Sequence, residues 1–120
     1  MSWLDTTTID EITRYLDLSG LREKLVAGNI ANIDTPGYQT QDINFQQALQ
    51  RASQMPEATM LPPRIEQVQG LIERPDGNNV SLDRESIVLA GVQLEYRTAI
   101  ALLRQEFNRI SMAINGNNGA

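Results

Sequence analysis

The chain has 120 residues, room for one domain, with 41 % apolar residues but only 5 % aromatic ones, a formal charge of −5, and neither cysteine nor histidine. Disulfides and thiolate metal sites are therefore excluded, and the commonest general base and metal ligand is missing. Ten scattered Lys and Arg against fifteen Asp and Glu make a poor counterpart for nucleic acid or for an anionic membrane surface. The start, Met1 to Thr6, lacks the basic and apolar regions of a secretory signal. No uninterrupted apolar run approaches the roughly 20 residues that span a bilayer. The expectation is a cytoplasmic protein, or one exported by a route without a cleaved signal.

The first element is a helix from about Thr8 to Ile33. Thr8-Ile9-Asp10-Glu11 has the form of a capping box, in which Thr and Glu satisfy free N–H groups at a helix start. Apolar residues recur at Ile9, Ile12 and Leu16, then at Leu18, Leu21 and Leu25, in steps of three and four. Ser19-Gly20 interrupts this pattern and predicts a weak point or a break, because Gly within a helix costs about 1 kcal/mol against Ala. Asp34-Thr35-Pro36-Gly37 ends the helix. Asn29 and Asn32 stand on neighbouring helical positions, where their amides can reach another helix or the last carbonyls of their own. Tyr38 can pack back on the helix end.

From Tyr38 to Val80 periodicity is poor, and Pro56, Pro62, Pro63 and Pro75 fall here. Phe45 to Leu49 fits a short helix, Arg64 to Glu73 leaves room for a short strand, and Pro75-Asp76-Gly77-Asn78 reads as a tight turn. The third region, Leu82 to Ile114, has the strongest pattern. Ser81 is its N-cap, with Asp83 and Glu85 in the first turn where the helix dipole favours anions. Leu89, Val92, Tyr96, Ala99, Leu103, Ile110 and Ala113 form a heptad-like seam, widened by Ile100, Phe107 and Ile114 and broken by Glu106. Ile87, Leu94 and Met112 lie nearly opposite and Leu102 to one side, which suits a helix with neighbours on more than one side. Asn115 to Ala120 reads as a helix stop and a flexible tail.

The expected fold is mainly α. Long N- and C-terminal helices pair as a coiled coil, and the irregular middle segment has room for a small β-hairpin. Residues 1–37, 38–80 and 81–120 form three segments of one unit: a helical assembly segment, a connector, and a long helix with its tail. The expected packing residues are Leu18, Leu21, Leu25, Leu89, Val92, Tyr96, Leu103, Phe107 and Ile110. The carboxylate pairs Asp10/Glu11 and Asp83/Glu85 suit helix starts better than catalysis, and no phosphate loop or metal-ligand spacing occurs. No catalytic, cofactor or metal residue is therefore assigned, and no enzyme is expected.

Asn29-Ile30-Ala31-Asn32 followed by Thr35-Pro36-Gly37-Tyr38 closely resembles the N-terminal signature of the flagellar rod, hook and hook-associated axial proteins. Asp42-Ile43-Asn44-Phe45, Asp76 through Glu85 and Leu94-Glu95-Tyr96-Arg97 resemble the short proximal rod members of that family. The likeness covers most of the chain and is weakest from Arg51 to Glu73. It implies a self-assembling structural subunit of the periplasmic basal-body rod, a hollow torque-transmitting shaft, exported by the flagellar type III apparatus. The partners it implies are copies of the chain, other rod proteins, the hook–basal-body adaptor protein and the export gate, with no nucleic acid, small-molecule substrate or cofactor. The neighbouring rod protein C type and a soluble coiled-coil adaptor are the alternatives.

Overall fold

The structure, a computed structural model, describes residues 6–54 and 62–118. The elements are α1 (Thr6–Ala31), β1 (Gln41–Ile43), α2 (Phe45–Gln54), β2 (Ile65–Gln67) and α3 (Leu82–Asn118). Helix α1 begins two residues before the expected capping box, so Thr8 lies inside it. It runs unbroken through Ser19-Gly20. The reason is packing: Leu18 is 6 % exposed and Ser19 fully buried, and tertiary burial outweighs the cost of one Gly.

Helix α3 starts where the N-cap expectation put it. The Arg84 N–H donates to Ser81 Oγ at 3.2 Å. It then continues past Ile114 and through Gly116 to Asn118, so the expected stop at Asn115-Gly116 is corrected. Gly116 is not among the glycines with positive φ and so makes no left-handed cap. At 37 residues α3 is about 55 Å long, against about 39 Å for the 26 residues of α1. The molecule is accordingly elongated, 71 × 28 × 18 Å.

Helices α1 and α3 pack antiparallel. Asn29 meets Glu85 near one end, while Ile12 and Tyr15 share a groove with Ala99 and Leu102 towards the other. The inward line of α3 is Glu85, Val92 and Ala99, seven residues apart and all nearly inaccessible. Half-buried Val88, Leu89, Glu95, Leu103, Glu106 and Ile110 flank it. Thus Val92 is in the core and Leu89, Leu103 and Ile110 border it, but Tyr96 and Phe107 are 38 % and 53 % exposed rather than packed within the chain. Glu106 lies along the line it was expected to break, with its carboxylate paired to Arg109 one turn on. On α1 the buried residues are Leu18, Ser19, Val26 and Asn29; Leu21, Arg22 and Leu25 are half-buried. Both inward stripes carry polar groups among the apolar ones, and Asn29 and Glu85 bond to each other across the pair.

Helix α2 packs on α1 through an edge-to-face contact of Tyr15 and Phe45, with ring centres 5.3 Å apart. Arg14 reaches from α1 to the carbonyl of Ala52 in α2. The sheet is a two-stranded antiparallel pair, with Asp42 opposite Glu66, closed across α2 rather than by a tight hairpin turn. Averaged over a window, α3 is apolar and long enough to cross a membrane, with mean hydropathy 1.3 in Leu82–Gly116, although Glu95 and Arg97 prevent an uninterrupted run. Only 11 % of that window is buried within the chain.

Truncating Val92 to Ala removes two buried methyl groups at the centre of the pair and is expected to cost about 2 kcal/mol. Ile87→Ala, at a position 73 % exposed, is expected to stay within about 0.5 kcal/mol of wild type. Urea melts of the two variants measure both.

Candidate functional site

The expected motif, Asn29 to Tyr38, sits where the end of α1, strand β1 and the start of α3 converge. Asn29 is 1 % exposed. Its Oδ1 accepts from the Gln41 N–H and from the Tyr38 hydroxyl, both at 3.0 Å. Its Nδ2 donates to the Gln41 carbonyl at 2.9 Å and to Glu85 Oε1 at 3.2 Å. Both donors and both lone pairs of the amide are therefore occupied. Because Asn29 pairs with both main-chain groups of Gln41, it stands in for a third strand beside β1.

Asn32 terminates α1. Its amide donates to the Gly28 carbonyl at 2.8 Å and its Oδ1 accepts from Thr35 Oγ1 at 3.0 Å. Gly37 turns the chain with φ +75°, and its N–H donates to the Asp76 carbonyl at 2.9 Å. Across from it Gly77 has φ +86°, and a Cβ there would lie 3.4 Å from Gly37 Cα. That positive φ is what favours glycine there, since a Cβ at this spacing would make ordinary van der Waals contact. Ile30 is half-buried, whereas Ala31 and Pro36 are exposed.

The expected motif omits the facing half of this clasp. Asn78 is fully buried and donates to the carbonyls of Asn32 and Thr35, both at 2.9 Å, while its Oδ1 accepts from the Val80 N–H at 2.8 Å. Asn79 accepts from the Thr40 N–H at 2.7 Å and donates to Gln39 Oε1 at 2.8 Å. Arg74 reaches the carbonyl of Ile33, and Gln39 donates to the Gly77 carbonyl at 2.7 Å. The signal in the chain is Asn78-Asn79 directly after a glycine turn, two polar residues where a helix approach needs none.

Below the clasp lies a charge cluster. Asp42 bridges Arg22 of α1 at 3.1 Å and Arg84 of α3 at 2.9 Å, and Arg84 also pairs with Glu85 at 2.8 Å. Glu85 is fully buried, so it is more than the solvated helix-start anion expected. Burial by itself would push the Asp42 pKa up. The hydrogen bonds from Arg22 and Arg84, joined by the Ile43 N–H, outweigh it and hold the carboxyl below its ordinary value. Burial, and then the charge of Glu85, push the Tyr38 phenol up, which keeps it a donor to Asn29.

The amides of Asn29 and Asn78 find their partners within this chain, whereas Glu85 Oε2 and Thr40 Oγ1 are buried without one. Two grooves flank α2, one of about 360 Å³ against Leu18 and Pro63 and one of about 510 Å³ against Ile12 and Leu102. Among the described residues no group of three or more His, Cys, Asp or Glu side chains is placed to hold a metal ion. The geometry is that of a joint between helices.

The chain is 32 % identical over 108 residues to the flagellar basal body rod protein FlgB of Yersinia enterocolitica, covering 73 % of this chain and 79 % of that protein. The chain belongs to the FlgB family of flagellar basal body rod proteins. Similarity extends across distant bacteria: 29 % identity with the FlgB protein of Escherichia coli K12, over 86 % of this chain and 89 % of that one, and 28 % with that of Bacillus subtilis 168, over 91 % and 94 %. No protein-family model matches the chain. Membership in the FlgB family accounts for a joint with no chemistry of its own.

Asn29→Ala leaves the main-chain groups of Gln41 and the Glu85 carboxylate short of partners in a buried setting. It is expected to cost at least 2 to 3 kcal/mol in a thermal or urea melt, from about 1 to 3 kcal/mol for each orphaned group. The Asp42 shift sets the direction of acid sensitivity. Its folded pKa lies below the unfolded value, so its contribution is complete above the ordinary aspartate pKa of about 3.9 and is lost as pH falls through the lowered folded value. Melting temperatures taken from pH 6 to pH 2 should fall through that window, and Asp42→Asn should be less stable at pH 6 with a shallower fall.

Proposed function

We propose that the chain builds the rod through α3, whose outer faces are covered by neighbouring subunits. As a member of its family the chain is a structural subunit of the flagellar basal-body rod, a periplasmic shaft, acting alongside other rod proteins in a structural rather than catalytic role. The observation that supports the route through α3 is its uncovered apolar surface. Ile87 and Met112 are 73 % and 72 % exposed, Leu94 is 66 % exposed, and Leu102 and Phe107 about half. Single exposed apolar residues are ordinary, but a line of them along a 37-residue helix is a surface that seeks a partner. Tyr96 and Phe107, 38 % and 53 % exposed, add uncovered apolar surface on the seam side of the same helix.

In this reading copies of the chain, together with other rod proteins, stack helically so that α3 is enclosed and a hollow, torque-transmitting shaft results. The hook–basal-body adaptor protein and the type III export gate are the further partners. Residues 1–37, 38–80 and 81–120 act as one unit, since the clasp ties all three segments together. The family supports this reading over the rod protein C type and over a free coiled-coil adaptor.

The test is electron microscopy of basal bodies from cells lacking the gene, complemented with wild type or with Leu94→Glu. Without the gene, basal bodies should stop at the inner-membrane ring, and wild type should restore the rod. Leu94→Glu should fold, with a melt within about 0.5 kcal/mol of wild type because its site is exposed, yet leave the rod unbuilt. Complete rods without the gene would remove the rod role. Complete rods with Leu94→Glu would remove the outer face of α3 from the interface.

A further inference from the structure

We propose that a second copy of this chain seats Phe107 of its α3 in the groove between α1, α2 and α3, a joint that repeats from copy to copy along the shaft. The inference deepens the rod reading and rests on it. It concerns the subunit as it stands in the assembled shaft.

The groove is one half of the joint. About 510 Å³ of open space lies over Ile12 and Tyr15 of α1, Leu49 and Ala52 of α2, and Ala99 and Leu102 of α3. Its floor is apolar, and Leu102 is still 49 % exposed. A cavity of roughly 150 Å³ in an apolar setting already holds a benzene ring, so one phenyl group fits here with room for its flanking side chains.

The knob lies on another side of the same helix. Phe107 is 53 % exposed, and Tyr96, Ile100 and Ile114 continue its stripe in steps of four and seven residues. At about 100° per residue, Phe107 is turned about 140° from Leu102, and Ile100 about 160°. One chain therefore carries a groove on one side of α3 and an apolar stripe on the other, and its own stripe cannot reach its own groove.

That arrangement selects the partner. A two-fold dimer would lay stripe on stripe and stop, with both grooves left open. A copy that puts its stripe into the next copy's groove leaves a stripe free at one end and a groove free at the other, so the contact propagates. A shaft subunit needs a contact of that kind. Phe107 also stands five residues beyond Leu102, about 7.5 Å along the axis, so each joint steps the next copy along the shaft.

The rims suit one another. Exposed Glu11, Gln50 and Ser53 border the groove, and exposed Arg104 and Ser111 flank Phe107 one turn to either side. Glu11 and Arg104 are opposite in charge and have no ion-pair partner among the described residues. Arg14, also at the groove, is held by the Ala52 carbonyl. An apolar centre inside a polar rim is the usual anatomy of a contact between proteins.

Thiol cross-linking in basal bodies tests the joint, because the chain has no cysteine of its own. Cells lacking the gene receive two differently tagged variants together, Phe107→Cys and Leu49→Cys, and a short bifunctional maleimide is added to the purified basal bodies. A dimer carrying both tags is expected, and none when Leu94→Cys, turned about 140° from Phe107, takes the place of Phe107→Cys. In single complementation Phe107→Leu should build rods, whereas Phe107→Glu should yield roughly tenfold fewer complete rods, since it carries a charge into an apolar groove. These counts decide the matter where a cysteine variant builds no rod. No doubly tagged dimer from complete rods, an equal dimer with Leu94→Cys, or wild-type numbers of rods with Phe107→Glu would each overturn the joint. Complete rods in cells without the gene would instead remove the rod reading, and the joint with it.

Discussion

One side-chain amide closes the edge of the sheet. Strand β1 is three residues long, and a two-stranded pair of that size is not stable alone in water. Its outer edge would present the N–H and C=O of Gln41 to whatever came near. Asn29 meets both groups and, through Glu85 and Tyr38, attaches them to α3 and to the turn after α1. Each contact depends on the others, because a buried amide with a partner missing costs more than the bond it made. The turn glycines, the Asn78-Asn79 pair and the Arg22–Asp42–Arg84 bridge form around that constraint.

The rest of the molecule is its opposite in character. Away from the clasp the contacts are mostly apolar, side chains are half-covered, and α3 extends about 16 Å further than α1 could match. A radius of gyration of 18.9 Å, where a compact chain of this length would have about 13.6 Å, reflects the same imbalance. Such a subunit has little interior. Its apolar surface away from the clasp is left for the neighbouring subunits proposed above to cover. A polar joint that specifies geometry and an apolar shaft that seeks cover are complementary parts of one design.

Much of this was legible in the residues. The two long helices, the N-cap at Ser81, the turn at Gly77 and the Thr35-Pro36-Gly37 turn that follows α1 are local events, written in neighbouring residues. The rotation of the helices was not. Apolar spacing placed Tyr96 and Phe107 on the inner seam and Glu106 as an interruption. In the fold Glu85, Glu95 and Glu106 lie on the inward side of α3, and Tyr96 and Phe107 face out. Arg22 likewise lies along the inward stripe of α1. A hydrophobic count cannot see this, because it scores every carboxylate as exposed, whether it bonds across the pair as Glu85 does or pairs along its own helix as Glu106 does.

The motif shows the division most clearly. Spacing alone established a helix end with two asparagines a turn apart, since capping and turn chemistry involve residues within a few positions of each other. The sequence also determined that no thiol or imidazole chemistry was available and that α3 would be long and apolar on more than one face. Tertiary structure decided what Asn29 is for. Its partners lie 12 and 56 residues away, at Gln41 and Glu85, and nothing in the local pattern names them. Helix ends are specified by bonds that close within a turn. A clasp is specified by bonds that exist only once the chain has brought distant segments together.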